Sequence, residues 1–528
     1  MLSTTATNAL LLRSQVRLVS RTMTSGTVTS EAIKMSSCVR LWPAPPTTET
    51  SNVSADDLAS MGPTTLAEVP IATAVAVDAA VTNAHRAFTT TWRETPSSER
   101  RNLLLELART IDANATDLAT IETRQTGKPL HETRGEVAEV ARTMRYFAGI
   151  ADLAIEPVSL GLAAGRNRSA ERVPEPWGVV AAITAFNYPL LLAGWKLGPA
   201  LAAGNAVVIK AAEPTPLSLL HLATLLPAGL RDVVQVVTGG AGTGRHLVAH
   251  PRVGYVSFTG STAAGTAIAR ARPLLPMTLE LGGKNAMYVD ASADLDHAVK
   301  VALEGGWANA GQNCCAASRI IVHERVYDAF VTKLAEGLAK RIGIAPRNIW
   351  SSGATMGTLV AFAEHAAQIR AQIGKLRGSL NQAYPPSYID PAHPLATELP
   401  DTTPLELLER WIPPVLYTRV PATHAMATAE LFGPVVTVLE PVRDVHEAIA
   451  VANMGEYGLA AGVLARDESV VREWVRHVRA GMMWVNTWNE SPVAVPFGGV
   501  GESGRGKELG VQGMNEFLQW KSVISVTE

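Results

Sequence analysis

The chain has 528 residues, 47% apolar and 18% charged, with a formal net charge of −2. That length exceeds what one hydrophobic core supports, so two or three domains are expected, and the composition excludes a disordered chain. The near-zero charge argues against a nucleic-acid surface, and only three cysteines leave no disulfide framework and fit a reducing compartment.

Residues 1–30 read as an address. Arg13, Arg17 and Arg21 sit among Ser, Thr and Leu, and no acidic residue precedes Glu31. That is the composition of a transit peptide to the mitochondrial matrix. The alternative is an untargeted tail on a cytoplasmic protein. Residues 43–70, rich in Pro, Thr and Ser, read as an extended approach to the fold. Helical spacing follows over 77–88 and 97–126, where Leu103, Leu104, Leu107, Ile111, Leu118 and Ile121 form one stripe. Gly127-Lys128-Pro129 stops that helix and another runs over 130–149. Small residues and prolines over 151–175 suggest strands leaving the domain body.

An α/β alternation then begins. Strands are predicted over 179–184, 206–209, 233–237, 253–258 and 277–281, with helices over 189–203, 216–225, 244–250 and 262–270. The apolar run 179–210 is no membrane span, because Asn187, Pro189, Lys196, Pro199 and Asn205 interrupt it. Apolar strands separated by helices imply a parallel sheet covered on both faces. Ligands in such folds bind at the carboxyl ends of the strands, where Asn187, Lys210, Gly260 and Glu280 fall. A second set of strands and helices follows residue 282. The stretch 343–412, rich in Pro and Ser, carries no clear period and no assignment.

Two of the three cysteines are adjacent, Cys314 and Cys315. Adjacent cysteines make a strained disulfide, and no metal-ligand spacing is present. Two readings remain: inert buried thiols, or a thiolate nucleophile needing a base and an oxyanion stabiliser. Three other stretches are chemically suggestive. Phe258 to Gly265 follows a strand and opens a helix, whose N-terminus suits a pyrophosphate. Lys210 and Glu213 end a strand three residues apart, as ribose ligands or as a solvated ion pair. Glu280 ends a buried strand before Gly282-Gly283, as a general base or a paired acid. The run Gly239 to Gly244 has its glycines in the wrong register for a nucleotide and reads as a flexible loop.

In combination these stretches resemble the aldehyde dehydrogenase superfamily over roughly 75–340 and 413–528. Phe186-Asn187-Tyr188-Pro189 resembles W-N-[FY]-P, Gly311-Gln312-Asn313-Cys314 matches G-Q-x-C, Glu430 to Pro434 resembles E-x-F-G-P, and Pro496 to Gly499 with Ser503-Gly504 resembles P-F-G-G-x-x-x-S-G. Glu280 precedes Cys314 at the family's spacing.

The resemblance implies an α/β fold. A Rossmann-like NAD-binding domain (31–152 and 176–282) joins an α/β catalytic domain (283–500) and a small β oligomerisation element (153–175 and 501–528). That element joins a strand pair to a C-terminal strand over 523–526. NAD is the implied cofactor and a homodimer or homotetramer the implied assembly, with no nucleic acid or membrane partner. Cys314 is the implied nucleophile, Asn187 and the Cys314 N–H the oxyanion donors, and Glu280 the base that activates water. Lys196 and Glu508 are implied in proton transfer with that base. Lys210, Glu213, Gly260, Ser261 and Gly265 are implied at the adenosine and pyrophosphate half, and Glu430 and Phe432 at the nicotinamide half.

The reaction implied is oxidation of an aldehyde to a carboxylic acid through a thiohemiacetal and a thioester. The alternatives are a CoA-acylating semialdehyde dehydrogenase and a non-catalytic nucleotide-binding relative. Gly501 stands where the family has a lysine, Ala317 where it commonly has glycine, and 343–412 lacks the family's G-D-P and glycine-rich pieces. Tyr188, Trp195, Trp307 and Trp488 suggest an aromatic box for a cationic substrate such as betaine aldehyde or another amino-aldehyde. The competing reading is an apolar tunnel for aliphatic or aromatic aldehydes.

Overall fold

The computed structural model describes residues 17–18, 36–40, 66–154, 157–160, 168–342, 363–375, 380–384, 410 and 412–526. Two sheets organise it. In the first the strands lie in the order Gly504–Arg505, Met277–Glu280, Val253–Thr259, Val179–Ile183, Ala206–Lys210, Val234–Val237. All are parallel except Gly504–Arg505, which runs antiparallel to Met277–Glu280. Val179–Ile183 and Ala206–Lys210 are buried at every position, as a sheet covered on both faces requires. The chain winds outward from Val179–Ile183 in one direction and returns to pair Val253–Thr259 on its other side. That makes a topological switch point, with a crevice at the carboxyl ends of these two strands.

The second sheet has the order Asn381–Tyr384, Val415–Val420, Val435–Leu439, Arg319–Val322, Ala286–Val289, Ala460–Leu464, Met482–Val485, parallel but for Asn381–Tyr384. Its period of two divides the core. Met287, Val289, Ile320 and Val322 face the main core, while Tyr288 and Ile321 pack with Tyr417 and Trp474 on the opposite face.

A third sheet pairs Arg168–Pro176 with Val158–Ser159 and, over its whole length, with Leu518–Val526. The C-terminal strand is therefore longer than the expected 523–526. Residues 501–517 do not belong with it as expected: Gly504–Arg505 completes the first sheet, and the helix Gly510–Glu516 packs on the helix Pro189–Ala202. Near the N-terminus, Arg17–Leu18 and Ser36–Arg40 flank Leu66–Pro70, so two residues of the expected leader pair in a sheet. The rest of that leader lies outside the described residues.

The helix expected over 97–126 is two helices, Ser97–Ala113 and Ala115–Thr126. At the break, the Asn114 side-chain amide donates to the Thr110 carbonyl (2.8 Å), a local bond that competes with the helix ladder. The helix Leu130–Gly149 has the expected bounds. The run Gly239 to Gly244 is not a flexible loop. From Ala241 it is the first turn of the helix Ala241–Ala249, and a Cβ at Gly240 would lie 2.4 Å from Glu213 Oε2. Close approach, not mobility, accounts for a glycine there. Within 343–412 the helix Ala363–Lys375 and the strand Asn381–Tyr384 are described. Among the described residues no helix is long and apolar enough to cross a membrane.

Candidate active site

A cavity of ≈ 1320 Å³ opens at the switch point and continues into the cleft between the two sheets. Of the twelve residues singled out above, ten line it: Asn187, Lys210, Glu213, Gly260, Ser261, Glu280, Cys314, Glu430, Phe432 and Glu508. Lys196 stands behind Glu508. Gly265 does not line the cavity: it is buried against the strand end, where a Cβ would lie 2.4 Å from Leu281 Cδ2. Its missing side chain lets the helix pack closely on the sheet.

Cys314 sits on a tight loop. Asn309, Ala310 and Gly311 all have positive φ (49°, 53° and 70°), which is costly for the two non-glycine residues. The turn is held by side chains. Asn309 Nδ2 donates to the carbonyls of Asn187 (3.0 Å) and Gln312 (3.2 Å), and Asn285 Nδ2 donates to those of Cys314 (2.7 Å) and Ala316 (2.8 Å). Gly283 allows the Glu280 strand end to touch this loop, since a Cβ there would lie 2.5 Å from the Cys314 carbonyl oxygen. The two thiols differ. Cys314 is partly exposed, whereas Cys315 is buried, anchored by its N–H to Asn313 Oδ1 (2.9 Å). Burial, then the hydrogen bond with Cys314, pushes the Cys315 thiol well above its ordinary pKa.

Asn187 lies two residues before the helix Pro189–Ala202, whose N-cap is Tyr188. Its amide donates to the Gln312 carbonyl (3.0 Å), leaving the second N–H of the same nitrogen for another acceptor. Glu280 is buried, and both of its carboxylate oxygens lack a hydrogen-bond partner. Burial first, then the neighbouring Glu508, pushes its pKa well above the usual carboxylate range, against the pull of Lys196. Lys196 and Glu508 form a fully buried ion pair; the lysine also donates to Thr259 Oγ1 (2.8 Å) and Ser257 Oγ (3.2 Å).

At the nucleotide-facing end, burial lowers Lys210 to about 8, opposed by Glu213. Ser261 caps the helix Thr262–Ala271 by accepting from the Ala264 N–H (3.3 Å). Glu430 accepts from the Gly283 N–H (2.9 Å), and burial pushes its pKa to about 7. Phe432, at φ 53°, meets Phe186 edge-on at 5.8 Å, and its carbonyl contacts His365 Nε2 at 3.1 Å. His365 belongs to the unassigned stretch, so that stretch reaches the site.

The expected aromatic box is half right. Tyr188 and Trp195 line the cavity. Trp307 and Trp488 do not: they are buried and donate to the carbonyls of Pro434 (3.1 Å) and Cys315 (2.9 Å). Trp484 and Phe497 occupy the wall instead, Phe497 lying 5.0 Å from Trp195. Sequence reasoning also missed Lys128, Glu136 and Asn309. The first was read only as part of a helix stop, and nothing in its spacing links it to Asn187.

A family model described as the aldehyde dehydrogenase family matches residues 49–523. The chain belongs to that family. It is 37% identical over 458 residues to aldehyde dehydrogenase [NAD(P)+] 1 of Saccharomyces cerevisiae, covering 85% of this chain and 87% of that one. It is 36% identical over 444 residues to the mitochondrial aldehyde dehydrogenase family 2 member B4 of Arabidopsis thaliana, covering 82% and 78%. Among solved structures, betaine aldehyde dehydrogenase from Staphylococcus aureus in complex with NAD+ matches with a TM-score of 0.80 at 28% identity, over 94% of this chain and 96% of that one. Gly501 has a local reason beside the family's lysine. It sits at φ 61° in a strand pair with Tyr457–Gly458, and a Cβ there would lie 2.6 Å from the Glu456 carbonyl oxygen.

Proposed function

We propose that this chain oxidises an aldehyde to a carboxylic acid with NAD, using Cys314 as nucleophile. One observation carries the reading: a partly exposed thiol, a buried amide and an unpartnered buried carboxylate line one cavity with a helix N-terminus and Glu213. The nucleotide fits the residues present. Glu213, packed against Gly240 at the cavity, offers a carboxylate to a ribose, the Ser261-capped helix end suits a pyrophosphate, and Glu430 with Phe432 suits the nicotinamide half. When bound, NAD accepts the hydride.

The chain's own groups supply the rest. Cys314 Sγ adds to the carbonyl carbon, and the free N–H of the Asn187 amide, with the Cys314 N–H, stabilises the oxyanion. After oxidation the acyl group is held as a thioester on Cys314. Glu280, once ionised, takes a proton from the water that hydrolyses it, and Lys196 with Glu508 offers a route for that proton. The base beside Cys314 favours water over CoA as acceptor, and the complete set of reacting groups argues against a non-catalytic role. NADH absorbance with NAD and aldehyde, with and without CoA, tests this. Turnover without CoA is expected, and turnover only with CoA would give the acylating reading.

For the substrate we favour a cationic amino-aldehyde, of which betaine aldehyde is one. Trp195 supports this, as do the carboxylates of Glu132, Glu139 and Glu490 lining the same cavity. A higher kcat/KM for a neutral aldehyde of similar shape, unaffected by Trp195→Ala, would leave only the broad aldehyde reading. Import into the mitochondrial matrix is proposed from the arginines of residues 1–30, alongside a relative named mitochondrial. A reporter fused to residues 1–35 that stays cytosolic would refute it. A homodimer or homotetramer is proposed from the exposed Ile524 and Val526 on the C-terminal strand, and sedimentation velocity measures it.

A further inference from the structure

Among the described residues, Lys128 is the least exposed lysine that the proposed chemistry does not use. It lies between the helices Ala115–Thr126 and Leu130–Gly149, with 1% of its side chain exposed. Its ammonium has three donors, and three acceptors take them: Glu136 Oε1 (2.7 Å), Glu136 Oε2 (2.6 Å) and the Asn187 carbonyl oxygen (2.9 Å). The ring of Tyr188 lies 4.2 Å from the same nitrogen. Burying such a pair is rarely favourable compared with apolar packing, so stability alone does not explain it.

What the pair does geometrically is fix Asn187. The Asn187 carbonyl receives Lys128 on one side and Asn309 Nδ2 on the other (3.0 Å). The Asn187 side-chain amide and Asn309 Nδ2 both donate to the Gln312 carbonyl, two residues before Cys314. Main chain and side chain of the oxyanion donor are thus clamped separately, and the second clamp is part of the nucleophile loop. We propose that Lys128 is a positioning residue: held by Glu136, it sets the backbone from which the Asn187 amide reaches the oxyanion, without touching substrate or cofactor. The inference rests on the role assigned to Asn187 above.

A double-mutant cycle tests it. Parent, Lys128→Met, Asn187→Ala and the double variant are compared by kcat at saturating NAD and aldehyde, and by the rate at which iodoacetamide alkylates Cys314. Alkylation displaces iodide and develops no carbonyl oxyanion, so it reads the thiol without the donor. Lys128→Met is expected to lower kcat about ten- to hundredfold, the scale of an ångström-level misplacement, while alkylation changes by less than about threefold. Added to Asn187→Ala, it should cost less than about threefold more, because both changes act on one interaction. Losses that multiply, alkylation that falls as far as turnover, or a Lys128→Met enzyme as fast as the parent would each overturn the proposal. If Lys128→Met does not fold with Glu136 left unpaired, Lys128→Met/Glu136→Gln removes both charges and is read the same way. An Asn187→Ala enzyme as fast as the parent would instead refute the reading of Asn187.

Discussion

Replacing Lys196 by methionine keeps most of the side-chain volume and removes one buried charge. Glu508, 1% exposed, then loses its ion-pair partner and keeps only Ser257 Oγ at 3.3 Å; its Oε2 already lacks a partner. Leaving such a carboxylate ionised costs about 3–5 kcal/mol. Lys196→Met should therefore destabilise the protein by about 3–5 kcal/mol. Urea unfolding of parent and variant, followed by tryptophan fluorescence, measures the difference. A penalty under about 1 kcal/mol would refute the reasoning, since a buried carboxylate deprived of its partner would then cost no more than an exposed one.

Burial and Glu508 hold Glu280 well above the usual carboxylate range, and only its ionised form can accept a proton from water. Turnover should therefore rise with pH along a limb above the ordinary carboxylate range, and Glu280→Gln should remove the limb together with most of kcat; a flat parent profile would count against the base. Glu213 would accept hydrogen bonds from both ribose hydroxyls but repel a 2′-phosphate, so kcat/KM for NAD should exceed that for NADP on the order of tenfold to a hundredfold. Glu213→Ala should narrow the ratio. Trp307→Phe removes one of the two hydrogen bonds that the Pro434 carbonyl accepts, the other coming from the Val415 N–H, and should cost about 1 kcal/mol of stability. It should leave the KM for aldehyde unchanged, which Trp195→Ala at the cavity wall should not.

The strands and helices of the first sheet were legible because each is a short apolar run or a clear 3.6-residue stripe bounded by Gly or Pro. The helix Leu130–Gly149 was read to the residue for that reason. The break at Asn114 was not legible, since the apolar stripe runs through it and only a side-chain bond to Thr110 marks it. The packing reasons for two glycines were not legible. At Gly240 and Gly265 a neighbour distant in sequence, Glu213 or Leu281, admits no Cβ. That Asn187, Glu280 and Cys314 share one cavity was legible from the motifs that carry the family resemblance; their support was not. Lys128 meets Asn187 across 59 positions, and Trp307 turned to Pro434, 127 positions away, rather than to the cavity. Such pairings depend on how helices dock, which local pattern does not encode.

The nucleophile is the centre of the account, and two neighbouring thiols make it testable in one protein. NADH formation from aldehyde and NAD should be lost in Cys314→Ala while the nucleotide still binds, because of the two thiols at the cavity only Cys314 is partly exposed, lining it together with Asn187 and Glu280. Cys315→Ala, which changes a buried thiol and leaves the backbone N–H bond to Asn313 Oδ1 in place, should keep a substantial share of the parent rate. Parental turnover by the Cys314→Ala enzyme would contradict the assignment outright.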